Sequence, residues 1–148
     1  MTAELLAFLR ARLNDTARKA QAAIRDGAAR WHAELNREYD GYAVADEHGE
    51  PVAYNEGAPS IAQATHIAEH DPARVLAEVD AKRRIIDEHA DDFGDCRVCA
   101  DPATSSDDVD GNRDWSRTAK PSPCQTLRLL ALPYAGHPDY RPEWVPDS

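Results

Sequence analysis

Residues 89–102, HADDFGDCRVCADP, decide how the rest of this chain is interpreted. They hold Cys96 and Cys99, and the third cysteine of the chain, Cys124, follows 25 positions after Cys99. The Cys-x-x-Cys spacing lets two thiolates reach one tetrahedral ion from a tight turn, as in zinc knuckles. A structural zinc site takes four ligands, so we assign Cys124 as the third and His89, in the last turn of a predicted helix, as the fourth. The sequence thus predicts a structural Zn²⁺ site of His89, Cys96, Cys99 and Cys124.

Other interpretations of these residues stay open. The 24 residues between Cys99 and Cys124 form a longer connection than most zinc-finger loops. An iron–sulfur cluster could use the same ligands. The three cysteines could also be unrelated reduced thiols. A redox-active Cys-x-x-Cys is disfavoured because no βαβ pattern surrounds it, and an odd number of cysteines argues against a closed disulfide set. Cys124 precedes a predicted helix, whose positive N-terminal end we expect to favour the thiolate.

Hydrophobic periodicity predicts an α+β fold that is mainly α. Apolar residues recur at three- and four-residue steps from Thr2 to about Arg25, which indicates an N-terminal helix. Residues 41–55 alternate around a turn and predict a small β-hairpin. Asp71-Pro72, an N-cap followed by proline, begins a long central helix, and residues 127–132 form a short C-terminal helix. The zinc-knuckle-like site is expected to join these elements.

Length and composition predict one domain over residues 1–148, with a thin core because only 42 % of the residues are hydrophobic. Residues 101–123 are rich in Pro, Gly, Ser and Asp and predict a mobile polar insertion. Whether Trp115 within it is exposed or a local anchor is not decided by the sequence. Residues 135–148 contain several prolines, which predicts an extended C-terminal tail.

Charge bears on the class of partner. The net charge is −10, so most of the surface should repel nucleic-acid phosphates, although the basic N-terminal helix keeps a DNA contact open. We expect a protein partner of unknown identity, and the oligomeric state stays open. No window approaches the roughly 18 consecutive apolar residues of a membrane span, and the N-terminus lacks the features of a signal peptide. These patterns predict a cytoplasmic protein without membrane association.

A second histidine motif offers a competing interpretation. HIAEH, from His66 to His70, fits the H-x-x-E-H pattern of some zinc proteases, in which Glu69 would act as the general base. The helix break at Asp71-Pro72 argues against this, as does the absence of an evident third ligand downstream. We interpret these histidines as surface residues, one of which caps its helix. A metal-dependent hydrolase remains an alternative, and the sequence favours a protein that is not an enzyme.

Three longer segments carry a resemblance. THIAEHDPARVLAEVDAKRRIIDEH, a Cys-x-x-Cys and then CQTLRLLALPYAGHPDYRPEW resemble a family of small uncharacterised proteins from actinobacteria and their phages, labelled a domain of unknown function. The resemblance is close over residues 65–144 and loose over 1–30. It implies a phage or prophage setting and supports His89, Cys96, Cys99 and Cys124 as one site, and it implies no reaction or substrate.

These observations predict a zinc-stabilised, non-enzymatic accessory or regulatory protein that acts by binding a macromolecule, most simply a protein. The weak core suits a role for zinc in folding. A transcription-linked regulator that contacts DNA machinery is the second interpretation, and the HIAEH hydrolase is the third.

Overall fold

A computed structural model describes most of the chain. The described residues are 2–37, 41–53, 59–90, 95–96, 98–100, 104–107, 110–111, 113–116 and 120–146. Among them are four α-helices: α1 (Thr2–Ala23), α2 (Ile61–Glu69), α3 (Pro72–His89) and α4 (Gln125–Ala131). Seven short strands accompany them: β1 (Trp31–Asn36), β2 (Gly41–Asp46), β3 (Pro51–Ala53), β4 (Asp95–Cys96), β5 (Thr104–Asp107), β6 (Arg113–Ser116) and β7 (Lys120–Pro121). The mainly helical α+β class predicted from the sequence is confirmed.

The described residues group into two compact units. One combines those of Met1–Arg12 and Lys82–Ser148, and the other comprises those of Leu13–Ala81. Helices α1 and α3 contribute residues to both units. The expectation of a single domain stays a prediction.

The unit from Leu13 to Ala81 contains a three-stranded antiparallel sheet in the order β1-β2-β3. The predicted hairpin is confirmed as β2 and β3, joined by a turn in which Gly49 has a φ of 82°. Desolvation would raise the pKa of the Asp46 carboxyl. The backbone N–H groups of Glu50 and His48 donate to that carboxylate and outweigh desolvation, so the pKa lies below its ordinary value. Asp46 therefore holds the hairpin turn.

Strand β1 is an element that the sequence interpretation missed. Trp31, Ala33 and Leu35 alternate with polar residues, and the strand pairs with β2 from Trp31↔Asp46 to Asn36↔Gly41. Helix α2 packs on β1 and β2, with Val44 and the two buried alanines of α2 at the centre of this core. One face of the sheet is thus covered by a helix. An isolated two-stranded hairpin would be only marginally stable without such packing.

Helix α3 begins as the sequence predicts. The Asp71 carboxylate accepts the backbone N–H of Arg74 at 2.8 Å, an N-cap bond, and Pro72 occupies the first helical position. The same carboxylate accepts the Trp31 N–H at 3.3 Å, so it also ties the start of α3 to β1. The helix then runs for 18 residues and ends at His89.

The C-terminal segment folds into turns where the sequence predicted an extended tail. Two 3-10 turns, Leu132–Tyr134 and Pro142–Trp144, follow α4. Trp144 is 2 % exposed, and its ring centroid lies 5.1 Å from that of Phe8 in α1. Prolines excluded a long helix here, but burial of the aromatic side chains against α1 favours a turned segment over an extended one.

The polar stretch 101–123 is only partly described. Strands β5 and β6 pair antiparallel within it, from Thr104↔Ser116 to Asp107↔Arg113. Residues 101–103, 108–109, 112 and 117–119 and the side chain of Trp115 lie outside the described part of the chain. A mobile insertion therefore stays a prediction. Across the described ranges, no helix combines the length and apolar character needed to cross a membrane.

Candidate metal centre

Four predicted ligands lie in one place, and three separate segments position them. His89 is the last residue of α3 and is 9 % exposed. Cys96 lies in β4 and is 1 % exposed, and Cys99 follows in the next turn, half-buried. Cys124 occupies the N-cap position of α4 and is 2 % exposed. All four belong to the unit that contains Lys82–Ser148.

A short antiparallel ladder closes the long gap between the cysteines. Strand β4 pairs with β7 so that Cys96 lies opposite Lys120 and Asp95 opposite Pro121. Cys124 follows Lys120 by four positions, so the ladder returns the chain to the Cys-x-x-Cys turn. The 24-residue separation is therefore compatible with one site, because the intervening residues leave and re-enter at the same place.

The donor atoms have the spacing of ligands around one ion. His89 Nδ1 lies 3.4 Å from Sγ of Cys96, of Cys99 and of Cys124, and all four donor atoms lie within 4.8 Å of one another. For tetrahedral zinc with Zn–N near 2.05 Å and Zn–S near 2.3 Å, the expected N···S separation is about 3.6 Å. The four side chains could therefore hold a single metal ion.

Hydrogen bonding does not account for this arrangement. An imidazole nitrogen carries at most one hydrogen, which can point at one sulfur, whereas three sulfurs surround His89 Nδ1 at the same 3.4 Å. Without a cation, three S–H groups would face one imidazole nitrogen, which can accept a hydrogen bond from only one of them. A cation at the centre satisfies all four atoms at once.

Burial opposes ionisation at this site. Desolvation raises the pKa of the Cys124 thiol to about 11; the backbone N–H of Leu127 opposes this shift, and Cys96 and Cys99 add to it. The start of α4 does favour a thiolate at Cys124, as expected, because the Leu127 N–H lowers the pKa, but this single contact does not offset desolvation. Without a cation, Cys124 stays protonated at neutral pH, so metal binding must release its proton.

One polar neighbour was not predicted. Thr126 Oγ1 lies 3.6 Å from Cys99 Sγ, where its hydroxyl can donate to a thiolate. Thr126 lies two residues after Cys124 at the start of α4, and nothing in the sequence marks it. Cys99 is the most exposed of the three cysteines, and the Thr126 hydroxyl lies against its sulfur.

Comparison with known proteins places this sequence in a family. The model of DUF6221, a family of unknown function, matches residues 2–146. The chain belongs to DUF6221. No curated protein and no solved structure matches it.

The second histidine motif of this DUF6221 member does not form a comparable cluster. His66, Glu69 and His70 are exposed, and the imidazole rings of the two histidines lie 4.4 Å apart. His70 Nδ1 lies 2.8 Å from the His66 backbone carbonyl, to which it donates. Among the described residues, the group of three or more metal-ligating side chains is the one at His89. The interpretation of His70 as a helix-end residue agrees with this geometry.

Proposed function

We propose that this DUF6221 protein is a small, zinc-stabilised, non-enzymatic accessory or regulatory protein that acts by binding another protein. Three cysteines and one histidine converge from the end of α3, the β4 turn and the N-cap of α4, and this convergence carries the proposal. Four protein donors complete a tetrahedral shell. Catalytic zinc sites instead keep one position for water or substrate, with three protein ligands.

The compactness of the donor set supports zinc over an iron–sulfur cluster. In a cluster the thiolates bind different iron atoms, so their sulfurs lie further apart than ligands of one ion. Separations of 3.4 Å between the nitrogen and each sulfur, near the tetrahedral value of about 3.6 Å, suit a single ion. Mixed thiolate and imidazole donors suit zinc among the divalent ions.

A structural role for the metal fits the packing around it. The two-residue ladder of β4 and β7 and the seven-residue helix α4 are too short to be stable alone. Structural zinc contributes about 10–16 kcal/mol of apparent binding free energy in zinc-finger peptides, which is comparable to the whole stability of a small domain. The ion would therefore supply folding free energy for this part of the chain.

Binding to a protein is favoured over binding to nucleic acid. The net charge is −10, and three basic side chains of α1 have acidic partners: Arg10 pairs with Asp87, and Arg18 and Lys19 pair with Asp15. Exposed leucines on the C-terminal side offer an apolar contact instead, with Leu129 50 % exposed and Leu132 40 % exposed. The reduced thiols favour the cytoplasm, and the phage or prophage setting rests on the sequence resemblance alone.

Metal analysis with a matched pair of histidine variants tests the proposal. The wild-type chain should contain one zinc ion, His89→Ala should lose it, and His66→Ala should retain it. Zinc that survives His89→Ala and is lost with His66→Ala would overturn the proposal in favour of the hydrolase.

The partner class is tested separately on the zinc-loaded chain. We expect pull-down from the native host to yield a protein whose retention falls with Leu129→Ser and survives nuclease treatment. A salt-sensitive mobility shift with duplex DNA, unaffected by Leu129→Ser, would instead support the transcription-linked regulator.

A further inference from the structure

Cys99 differs from the other two cysteines in its exposure. Cys96 is 1 % exposed and Cys124 is 2 % exposed, whereas Cys99 is half-buried. Its neighbour Val98, in the same turn, is 57 % exposed, so this turn lies at the protein surface. Reactive cysteines are partly exposed and have thiolate character, whereas fully buried structural cysteines are inert. Cys99 is therefore the thiol of the candidate metal centre that a reagent in solution reaches first.

A cavity of about 380 Å³ leaves room for a small molecule beside Cys99. Cys99 is among the residues that line it, together with Cys124 and Pro123. Hydrogen peroxide is only slightly larger than water, one molecule of which occupies about 30 Å³ of the liquid. The cavity can therefore admit hydrogen peroxide next to Cys99.

A second thiol lies within reach of the first. The sulfurs of Cys96 and Cys99 each lie 3.4 Å from His89 Nδ1 and within 4.8 Å of each other. A disulfide requires about 2.05 Å between its sulfurs, so the pair must close by less than about 3 Å. Two residues separate Cys96 from Cys99, whereas 24 separate Cys99 from Cys124, so joining the nearer pair costs less chain entropy once the metal is lost. Cys96 is therefore the disulfide partner that the chain offers to Cys99.

We propose that Cys99 is a site of oxidative modification by hydrogen peroxide, and that its oxidation releases the metal as Cys96 and Cys99 join in a disulfide. In the first step the Cys99 thiolate attacks one peroxide oxygen, so that an S–O bond forms, the O–O bond breaks and hydroxide leaves. In the second step the Cys96 thiolate attacks the Cys99 sulfur, so that the S–S bond forms, the S–O bond breaks and a second hydroxide leaves. The two sulfurs are oxidised, the peroxide is reduced, and each hydroxide takes up a proton from solvent.

Loss of both thiolates removes half of the ligand set. His89 and Cys124 remain, which is fewer than the four ligands of a structural zinc site, so the ion dissociates. A bond within the Cys96–Cys99 turn does not span the connection to Cys124, so the loop that the ion closed is released with the ion. This consequence rests on the proposed zinc site, and it makes the proposed protein-binding role dependent on the redox state of the chain.

Treatment of the zinc-loaded chain with hydrogen peroxide tests the proposal. Zinc content is measured first, so a chain that takes up no zinc contradicts the proposed function, whereas bound zinc that resists peroxide contradicts only this inference. A chromophoric chelator follows zinc release, and peptide mapping by mass spectrometry locates the oxidised cysteines. We expect about one zinc ion released per peroxide consumed, a disulfide between Cys96 and Cys99, and recovery of zinc binding after reduction with dithiothreitol.

A variant with a matched control separates oxidation at Cys99 from general oxidative damage. Cys99→His replaces the most exposed cysteine with another zinc ligand, so zinc release by peroxide should slow at least about tenfold because Cys96 and Cys124 are buried. Val98→Ser changes the same turn without removing a ligand and should release zinc at the wild-type rate. If Cys99→His does not load zinc, the wild-type peptide map decides. Equal release from Cys99→His and the wild type, a disulfide between Cys99 and Cys124, or oxidation that leaves Cys99 reduced would overturn the inference.

Discussion

Replacing Cys96 by serine should abolish tight metal binding. Cys96 is 1 % exposed, and its Sγ lies 3.4 Å from His89 Nδ1, so it is an inner member of the donor set. A serine hydroxyl is not a zinc ligand at neutral pH. If four ligands share about 10–16 kcal/mol equally, losing one removes about 2.5–4 kcal/mol, which weakens zinc binding about 10²–10³-fold.

Competition with a chromophoric chelator measures this loss directly, and urea unfolding with and without zinc measures its effect on folding. Val98→Ser is the matched control because Val98 lies in the same Cys-x-x-Cys segment, is 57 % exposed and offers no ligand atom. We expect Val98→Ser to bind zinc as the wild type does. Zinc affinity of Cys96→Ser within threefold of wild type, or an equal loss in Val98→Ser, would refute the assignment of Cys96 as a ligand.

Three further predictions concern the core, the start of α3 and the pH dependence of metal binding. Trp144→Ala should lower the free energy of unfolding, measured with urea, by about 3–5 kcal/mol because Trp144 is 2 % exposed. The adjacent Val145 is 52 % exposed, so Val145→Ala should change the free energy of unfolding by less than about 0.5 kcal/mol. Asp71→Ala should cost about 1–2 kcal/mol, since the carboxylate accepts two backbone N–H groups; an unchanged unfolding midpoint would contradict the cap. Zinc affinity should rise about tenfold per pH unit between about pH 6 and pH 8 from Cys124 alone, because burial raises its pKa to about 11 and binding releases its proton. Affinity independent of pH over that range would show that Cys124 is not a ligand.

The grouping of His89, Cys96, Cys99 and Cys124 could be predicted because it depends on donor chemistry more than on packing. Three cysteines and a helix-ending histidine provide the four ligands of one tetrahedral ion. This pattern can be recognised without knowing the structure of the residues between Cys99 and Cys124. The start of α3 could also be predicted, since Asp71-Pro72 combines an N-cap residue with a proline that fits the first helical position. Both are local properties of the residues themselves.

The features that were not predicted depend on burial or on pairing between segments that are distant in the sequence. Strand β1 was overlooked because six residues of alternating character are a weak signal until α2 and β2 cover them. The net rise in the pKa of Cys124 was not predicted, because desolvation depends on surroundings that the sequence does not show. The pairing of β4 with β7, which returns the chain to the Cys-x-x-Cys turn, was also missed because no local pattern predicts it.

The ladder, the cap of α4 and the metal centre are best understood as one cooperative element. Closing the loop between Cys99 and Cys124 costs about 3 kcal/mol of chain entropy for 25 residues. A two-residue ladder contributes about 1–2 kcal/mol at most from its hydrogen bonds, so it cannot close that loop unaided. Metal binding provides several times the deficit. The ladder in turn sets Lys120 opposite Cys96, four residues before Cys124, so an ion held by the four ligands would stabilise the ladder and the start of α4 together.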